Sequence, residues 1–480
     1  MAEEQSDCPS SPLSSLSSTD DHHHHLQLTT PLRFFPVSRA ELSLPAVLKC
    51  GQTFRWNRTS AILPNGHPTE VHLRIKSMAD GQQVELVEWS LACFDRTVVL
   101  RQDDRGIHYT ALYRSSDIEE YKMDCKMDTT YNLLRAYFVL DVSLVGLYQD
   151  WSRRDSVFSS KVASGEWDGL RVVRQDSWET MVSFICSANN NIPRISLMVN
   201  KLCATFGNLM PRPPLGITLP NEQERQSVQA SHPSLATKDM YSFPSAKRLS
   251  EGDVADKLKH LGFGYRANYV HKSSLKLCEI AQEARHLKHW PGFMEDSADN
   301  GKKDEEEVTA TDSMSENRCR FEPEDFLAFL ASQPYEVAHS KLVHQFPGVG
   351  PKVADCICLF GLGFVHVVPV DIHIYKIAIR DYQLDLPSPN AKKSASRPAT
   401  NKKKQAIITT KTNPESSSSK PSIFRTPPNT SHNHNSSINP PSLSRSNYQK
   451  IQHFFLRTWG PWAGWAQQIL FLADLAKAPA

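Results

Sequence analysis

Two side chains in the last third of the chain are spaced to do covalent chemistry. Lys352 follows the turn Phe346-Pro347-Gly348-Val349-Gly350-Pro351, and Asp371 follows the extended run Val368-Pro369-Val370. An apolar helix end leads into the turn, and Lys352-Val353-Ala354-Asp355-Cys356 starts a second helix at once. The positive end of a helix, with desolvation, lowers the pKa of an amine and frees it to attack an electrophilic carbon. A depressed Lys352 pKa is therefore expected, although an isolated lysine at a helix start is usually a solvated charge. Asp371 precedes Ile372-His373-Ile374-Tyr375-Lys376-Ile377 and makes a good helix N-cap. Capping amides keep such a carboxylate ionised, and an anion there stabilises positive charge that develops in a transition state. The backbone N–H groups of Gly348, Val349 and Gly350 can converge on a phosphate, because glycine reaches the needed φ/ψ and leaves no side chain in the way. An ordinary tight turn between helices uses the same residues.

These groups need a scaffold, and the chain supplies two kinds. From Leu32 to about Tyr113 the pattern is strand-like. Val71-His72-Leu73-Arg74-Ile75 alternates, Val84 to Trp89 and Val98 to Arg101 follow, and polar turns such as Asp80-Gly81 separate them. An antiparallel sheet is expected. Helical spacing takes over afterwards: Leu133, Leu134, Tyr137 and Phe138 form one stripe, and Leu144, Leu147, Tyr148 and Trp151 another, with Asp141 as its expected cap. Further helices are expected over about 176–190, 193–206, 254–261 and 266–286. Helix returns from Tyr448 to Ala476, interrupted at Trp459-Gly460-Pro461-Trp462.

The remaining stretches lack core periodicity. Residues 1–28 read as a disordered Ser/Asp/His-rich tail, whose His22 to His25 tract is a low-complexity feature before it is a metal site. Residues 211–244, 294–320 and 388–447 read as surface insertions or linkers. The expected organisation is a sheet domain with helices over 29–160, a helical domain over 161–387 and 448–480, and the 388–447 insertion splitting the latter. The fold class is α+β.

Composition narrows the function less. The chain has 480 residues, 31 of them proline, and a formal net charge of +2. So small a net charge does not discriminate, because a basic groove can hide inside a neutral total. No apolar run approaches a membrane span and the mean hydropathy is −0.43. The start, Met1-Ala2-Glu3-Glu4, lacks a signal-peptide core. Ten cysteines are scattered without a CxxC, and Cys356-x-Cys358 suits neither a zinc knuckle nor a disulfide, which favours a reducing compartment.

The hairpin with its lysine and aspartate resembles the helix–hairpin–helix Gly-Pro-Asp signature of base-excision DNA glycosylases, in the branch that works through a lysine Schiff base. Four more blocks look like eukaryotic 8-oxoguanine DNA glycosylase/AP lyase, in that family's order: Cys50-Gly51-Gln52-Thr53-Phe54-Arg55-Trp56, Phe184-Ile185-Cys186-Ser187-Ala188-Asn189-Asn190-Asn191, Leu261-Gly262-Phe263-Gly264-Tyr265-Arg266-Ala267, and Trp459-Gly460-Pro461-Trp462-Ala463-Gly464-Trp465-Ala466-Gln467. The likeness covers about 32–385 and 448–476, apart from the insertions. It implies an N-terminal antiparallel sheet domain packed on an α-helical helix–hairpin–helix domain, with the base pocket between them.

The resemblance also implies roles. Lys352 would be the nucleophile and Asp371 the stabilising anion. Gly51, Cys356, Gln467 and Phe471 would line the damaged-base pocket, where the Gly51 carbonyl accepts the N7 proton that distinguishes 8-oxoguanine from guanine. Gln467 and Phe471, four apart, share a helix face suited to bonding a base edge and stacking on its plane. By pattern alone Cys356 and Phe471 would be core residues. Asn189, Arg194, Tyr265 and Arg266 would fill, wedge and read the position of an orphaned cytosine. Gly348, Val349, Gly350 and His373 would hold DNA phosphate. The expected reaction is excision of 8-oxoguanine, and of ring-opened formamidopyrimidine purines, opposite cytosine, followed by strand cleavage 3′ to the abasic site by β-elimination. The expected partner is double-stranded DNA and the enzyme is expected to be a monomer without metal or cofactor. Nothing matches the four-cysteine iron–sulfur loop of some relatives. A nuclear location is expected, with a mitochondrial form left open; Lys392-Lys393 and Lys402-Lys403-Lys404 suit nuclear import or plain solvation equally. Two residues depart from the family pattern: Pro351, tolerated at a first helical position, and Phe360, where a smaller or more flexible apolar residue is usual. The alternatives are a related glycosylase with another lesion preference and a non-catalytic damaged-DNA binding module.

Overall fold

The computed structural model describes residues 27–64, 83–232, 238–293, 321–386 and 443–476. The strand expected at Val71–Ile75, the 294–320 stretch, residues 1–26 and most of 388–447 lie outside them. Six strands form one antiparallel sheet: β1 (Gln27–Thr29), β2 (Arg33–Pro36), β3 (Asn57–Pro64), β4 (Gln83–Cys93), β5 (Arg96–Gln102) and β6 (Gly106–Arg114). β3 to β6 are neighbours in order, and β1 and β2 pair with different parts of β6.

The register explains why the sheet is buried on both sides. Trp89 faces Leu100, and Leu100 faces Tyr109. With Val98 and Ile107 they bury against Leu44, Val47, Leu134 and Phe138. Residues of opposite parity (Leu86, Glu88, Val99, Leu112) point to the other face. That face is covered by the segment expected to be a linker. Leu215, Leu219 and Val228 pack on Ala61 and Leu86, and Ile217 packs on Val99 and Leu112. The buried Glu88 carboxylate accepts from Gly216 N at 2.8 Å and Thr218 N at 2.9 Å. Residues 211–232 and 238–244 are thus a docked layer with a helix at Glu222–Ser231 and a short strand pair, Leu209–Met210 with Met240–Tyr241. Consecutive apolar residues such as Val98-Val99-Leu100 demanded such a cover; the Pro- and Gln-rich composition concealed it.

The helical part centres on the Ser177–Ser187 helix, buried from Trp178 to Cys186 except at Glu179. Around it stand Ile192–Phe206, Arg266–Leu287, Tyr335–Gln345, Pro351–Ile357, Ile372–Arg380, Arg445–Trp459 and Ala463–Leu475. The break at Gly460–Trp462 falls as expected. The Leu144–Arg154 helix is capped by Ser143, not Asp141. Ser143 accepts from Gly146 N at 3.2 Å, whereas Asp141 takes a hydrogen bond from Arg135 Nε at 2.7 Å. Asp155 joins distant parts of the chain: it accepts from Tyr382 Oη at 2.6 Å and Trp459 Nε1 at 2.8 Å.

Candidate active site

The hairpin comprises Tyr335–Gln345, the turn 346–350, and Pro351–Ile357. Gly348 has φ +85, and a Cβ there would lie 2.7 Å from the Tyr269 ring, so both its conformation and its contact require glycine. Gly350 is extended, at φ −89 and ψ 178, and does not use that freedom. Val349 is buried and its N–H donates to Phe346 O at 3.2 Å, so the amides left for a phosphate are those of Gly348 and Gly350. Proline sits at the first helical position, where no intrahelical N–H is lost.

Asp355, on the Lys352 helix, is fully buried. It accepts from Tyr335 Oη at 2.7 Å, Gln452 Nε2 at 2.8 Å and Tyr448 Oη. This carboxylate fastens the hairpin to the Arg445–Trp459 helix. A short π-helical turn, Cys358–Leu362, ends the Lys352 helix and turns the chain toward Val370. Asp371 then caps Ile372–Arg380, its Oδ1 accepting from His373 N at 2.9 Å and Ile374 N at 3.0 Å.

Lys352 and Asp371 line one cleft with Gly51, Cys356, Gln467, Phe471, Phe184, Phe360, Pro369 and Gln468. The cleft is narrow, ≈ 40 Å³. Part of the reason is Phe360, whose ring stacks on Phe184 with centroids 5.3 Å apart and planes at 4°. The Lys352 ammonium stands 5.7 Å over that Phe184 ring. A planar base enters only if these walls shift. Gln467 is buried and its Oε1 has no hydrogen-bond partner among the described residues. A larger hollow, ≈ 640 Å³, lies between Trp56, Tyr137, Trp178 and Phe243 and contains none of the candidate residues.

The expected depression of the Lys352 pKa is corrected. Burial pulls the ammonium down, but its contact with Cys356 and the charge of Asp371 outweigh it and hold the amine above its ordinary value. Burial pushes the Cys356 thiol up to about 11. Lys352 therefore rests as an ammonium in the cleft it shares with Asp371.

Gly51 has φ +80, and a Cβ added there would meet Ile192 Cδ1 at 2.5 Å. The left-handed conformation alone costs alanine about 1–2 kcal/mol. Gly51→Ala should lose at least that much stability in urea or thermal unfolding, and an unchanged midpoint would mean the loop relaxes freely.

The second candidate group lies at the start of Ile192–Phe206. Asn189 is exposed with φ +50, Arg194 is exposed, and Tyr265 is 50 % exposed with its hydroxyl on Ala188 O at 3.1 Å. Arg266 is the exception to the expected free donor. Its side chain is buried and gives hydrogen bonds to Ala188 O and Asn189 O, so it holds the Asn189 turn from below. His373 Nδ1–H donates to Asp474 Oδ2 at 3.1 Å, and the ring meets Phe471 edge-on at 5.6 Å. Sequence reasoning did not single out Phe184, Gln468, Asp355 or Asp474 as parts of this site. Gln468 adjoins Gln467, and neighbours along a helix ordinarily face apart. Among the described residues no cluster of three or more His, Cys, Asp or Glu could hold a metal ion.

Known proteins match this chain over most of its length. Residues 34–181 match the 8-oxoguanine DNA glycosylase N-terminal domain, and residues 182–399 match the HhH-GPD superfamily of base excision DNA repair proteins. The N-glycosylase/DNA lyase of Saccharomyces cerevisiae is 29% identical over 445 residues, covering 92% of this chain and 85% of that protein. The N-glycosylase/DNA lyase OGG1 of Arabidopsis thaliana is 25% identical over 454 residues, covering 94% and 82%. A solved structure of MBOgg1 in complex with a low-affinity DNA ligand shares the fold at TM-score 0.50 and 19% identity, covering 93% of this chain and 99% of its own. The sheet domain, the hairpin domain and both matched families place this chain among the DNA glycosylases with lyase activity, as a member of the 8-oxoguanine DNA glycosylase family within the HhH-GPD superfamily.

Proposed function

We propose that this enzyme excises 8-oxoguanine paired with cytosine through a Schiff base on Lys352 and then cleaves the strand by β-elimination. The observation that supports it most is the meeting of Lys352 and Asp371 in one cleft with Gly51, Cys356, Gln467 and Phe471, drawn from separate parts of the chain. The flipped nucleoside enters against Phe471. The Gly51 carbonyl accepts N7–H of the lesion. Guanine presents a bare N7 there, acceptor against acceptor, at a cost of about 1–3 kcal/mol. Lys352 gives up its proton and its Nζ attacks C1′. The C1′–N9 bond breaks, and the base leaves with a proton. Asp371 stabilises the cationic character of C1′ and O4′. Opening of the sugar gives the imine, which acidifies C2′–H. Loss of that proton breaks the C3′–O3′ bond, and hydrolysis of the imine returns the amine.

Borohydride reduction during reaction with a duplex holding one 8-oxoguanine opposite cytosine should trap a covalent complex and release the free base. Absence of the adduct with this duplex, or equal trapping with undamaged duplex, would overturn the reading.

Opposite-base preference tests the second group. Cytosine offers O2 and N3 as acceptors, which suits guanidinium donors. Arg194→Ala should slow excision opposite cytosine by roughly ten- to a hundredfold, the worth of one bidentate contact, and much less opposite the other bases. Arg266→Ala should add a uniform loss and a lower melting temperature, since the Asn189 turn rests on it. Single-turnover excision against all four opposing bases distinguishes these patterns. Uniform weakening by both variants, with a shallower salt dependence, would reassign both arginines to phosphate.

A further inference from the structure

We infer that Gln175 is a positioning residue for lesion recognition: it ties the Gly51 wall and the Phe360 wall of the base cleft to one strap, and so fixes the spacing of the two main chains between which the base must fit. This rests on the reading of Gly51 as the acceptor for N7–H.

The strap is the segment 171–175, which has no regular secondary structure and leads into the Ser177–Ser187 helix. Gly51 and Phe360 both line the cleft with Lys352, although they lie more than three hundred positions apart in the chain. Gln175 reaches both walls. Its side-chain Nε2 donates to the carbonyl of Gln52, the residue after Gly51, at 2.6 Å. Its backbone N–H donates to Phe360 O at 2.8 Å.

Each attachment is doubled. Gln52 is fully buried and returns the contact: its Nε2 donates to Arg171 O at 2.9 Å, and its Oε1 accepts from Val173 N at 3.0 Å. The two glutamines thus clasp each other's main chain. At the other wall, Ser177 Oγ donates to Gly361 O at 3.1 Å. A Cβ on Gly361 would lie 3.2 Å from Ser177 Cα, so the Cys358–Leu362 turn and the end of the strap approach backbone to backbone.

Packing alone does not hold this arrangement. Gln175 also borders the ≈ 640 Å³ hollow between Trp56, Tyr137, Trp178 and Phe243. A hollow leaves the atoms that line it without close neighbours on that side, so hydrogen bonds carry the restraint there. Both acceptors of Gln175 are main-chain carbonyls. The bonds therefore fix the backbone of the two walls and leave the Phe360 ring to turn when a base enters. Glycine has the loosest backbone of any residue, so a carbonyl at Gly51 rejects guanine only if its surroundings are fixed. Were the walls free to part, the clash of acceptor against acceptor would be relieved by spreading them.

The experiment uses the full chain and three measurements: single-turnover release of 8-oxoguanine opposite cytosine, release of guanine from the undamaged duplex, and cleavage of a duplex with a preformed abasic site, which has no base to recognise. Gln175→Met keeps the length of the side chain and removes its donor, while the backbone bond to Phe360 O stays. The ratio of 8-oxoguanine release to abasic cleavage should fall roughly three- to tenfold, the worth of one hydrogen bond, and release of guanine relative to 8-oxoguanine should rise. Ser177→Ala, a milder cut at the other attachment of the strap, is read by the same ratios if the methionine variant does not fold. Equal loss of 8-oxoguanine release and abasic cleavage, or unchanged ratios, would overturn the positioning role. A wild-type enzyme that cleaves the abasic duplex but releases no 8-oxoguanine would instead overturn the substrate reading beneath it.

Discussion

Lys352→Gln is expected to bind lesion duplex nearly as well as the wild type while losing both base release and borohydride trapping. Glutamine fills similar volume but has no nucleophilic lone pair on nitrogen, and the fold around position 352 is held by other groups, chiefly Asp355 with Tyr335, Tyr448 and Gln452. The loss should exceed about 10³-fold, because the covalent route has no substitute in the cleft. Gel-shift affinity beside single-turnover rates measures both halves. A trapped adduct in this variant would move the nucleophile elsewhere. The pH profile of the wild type carries a second consequence. Burial pulls the Lys352 pKa down, but its contact with Cys356 and the charge of Asp371 hold it above the ordinary value. Attack needs the neutral amine. If bound DNA leaves that balance in place, base release should climb about tenfold per pH unit across the neutral range. A rate that is flat there would mean that bound DNA drives the amine down before attack.

Asp371→Asn should fold like the wild type and lose about 10²- to 10³-fold in base release, the usual cost of removing one preorganised charge from a transition state. Asparagine caps helices about as well as aspartate, so the two amide contacts to His373 N and Ile374 N can be kept. The variant also takes away a charge that raises the Lys352 pKa, so more of the amine is free. A lower rate in spite of a freer nucleophile separates charge stabilisation from mere priming of the lysine. Thermal unfolding beside single-turnover kinetics decides it: a collapsed melting temperature with normal turnover of the folded fraction would leave Asp371 a cap alone.

The sequence by itself determined the chemistry-bearing elements, because each is a local signal. The Gly348 turn, Pro351 at the helix start, the Asp371 cap and the break at Gly460 are set by backbone rules acting over a few residues, and they appear where those rules put them. The alternating strands gave the antiparallel sheet for the same reason. The Asp141 cap failed on a two-residue boundary, where Ser143 competes for the same helix end. What only the tertiary structure decided was everything governed by burial and by partners far along the chain. Composition made residues 211–244 look like a linker, yet the apolar second face of the sheet and the buried Glu88 recruit residues 211–232 and 238–244 as a layer. A helix-start position suggested a depressed Lys352 pKa, yet the neighbouring Asp371, brought back by the turn through Cys358–Leu362, reverses it. Arg266 looked like a free donor until the Ala188 and Asn189 carbonyls claimed its guanidinium. Electrostatic balance and hydrogen-bond pairing in a low-dielectric interior depend on which groups meet, and that is a property of the packed molecule and not of any one segment.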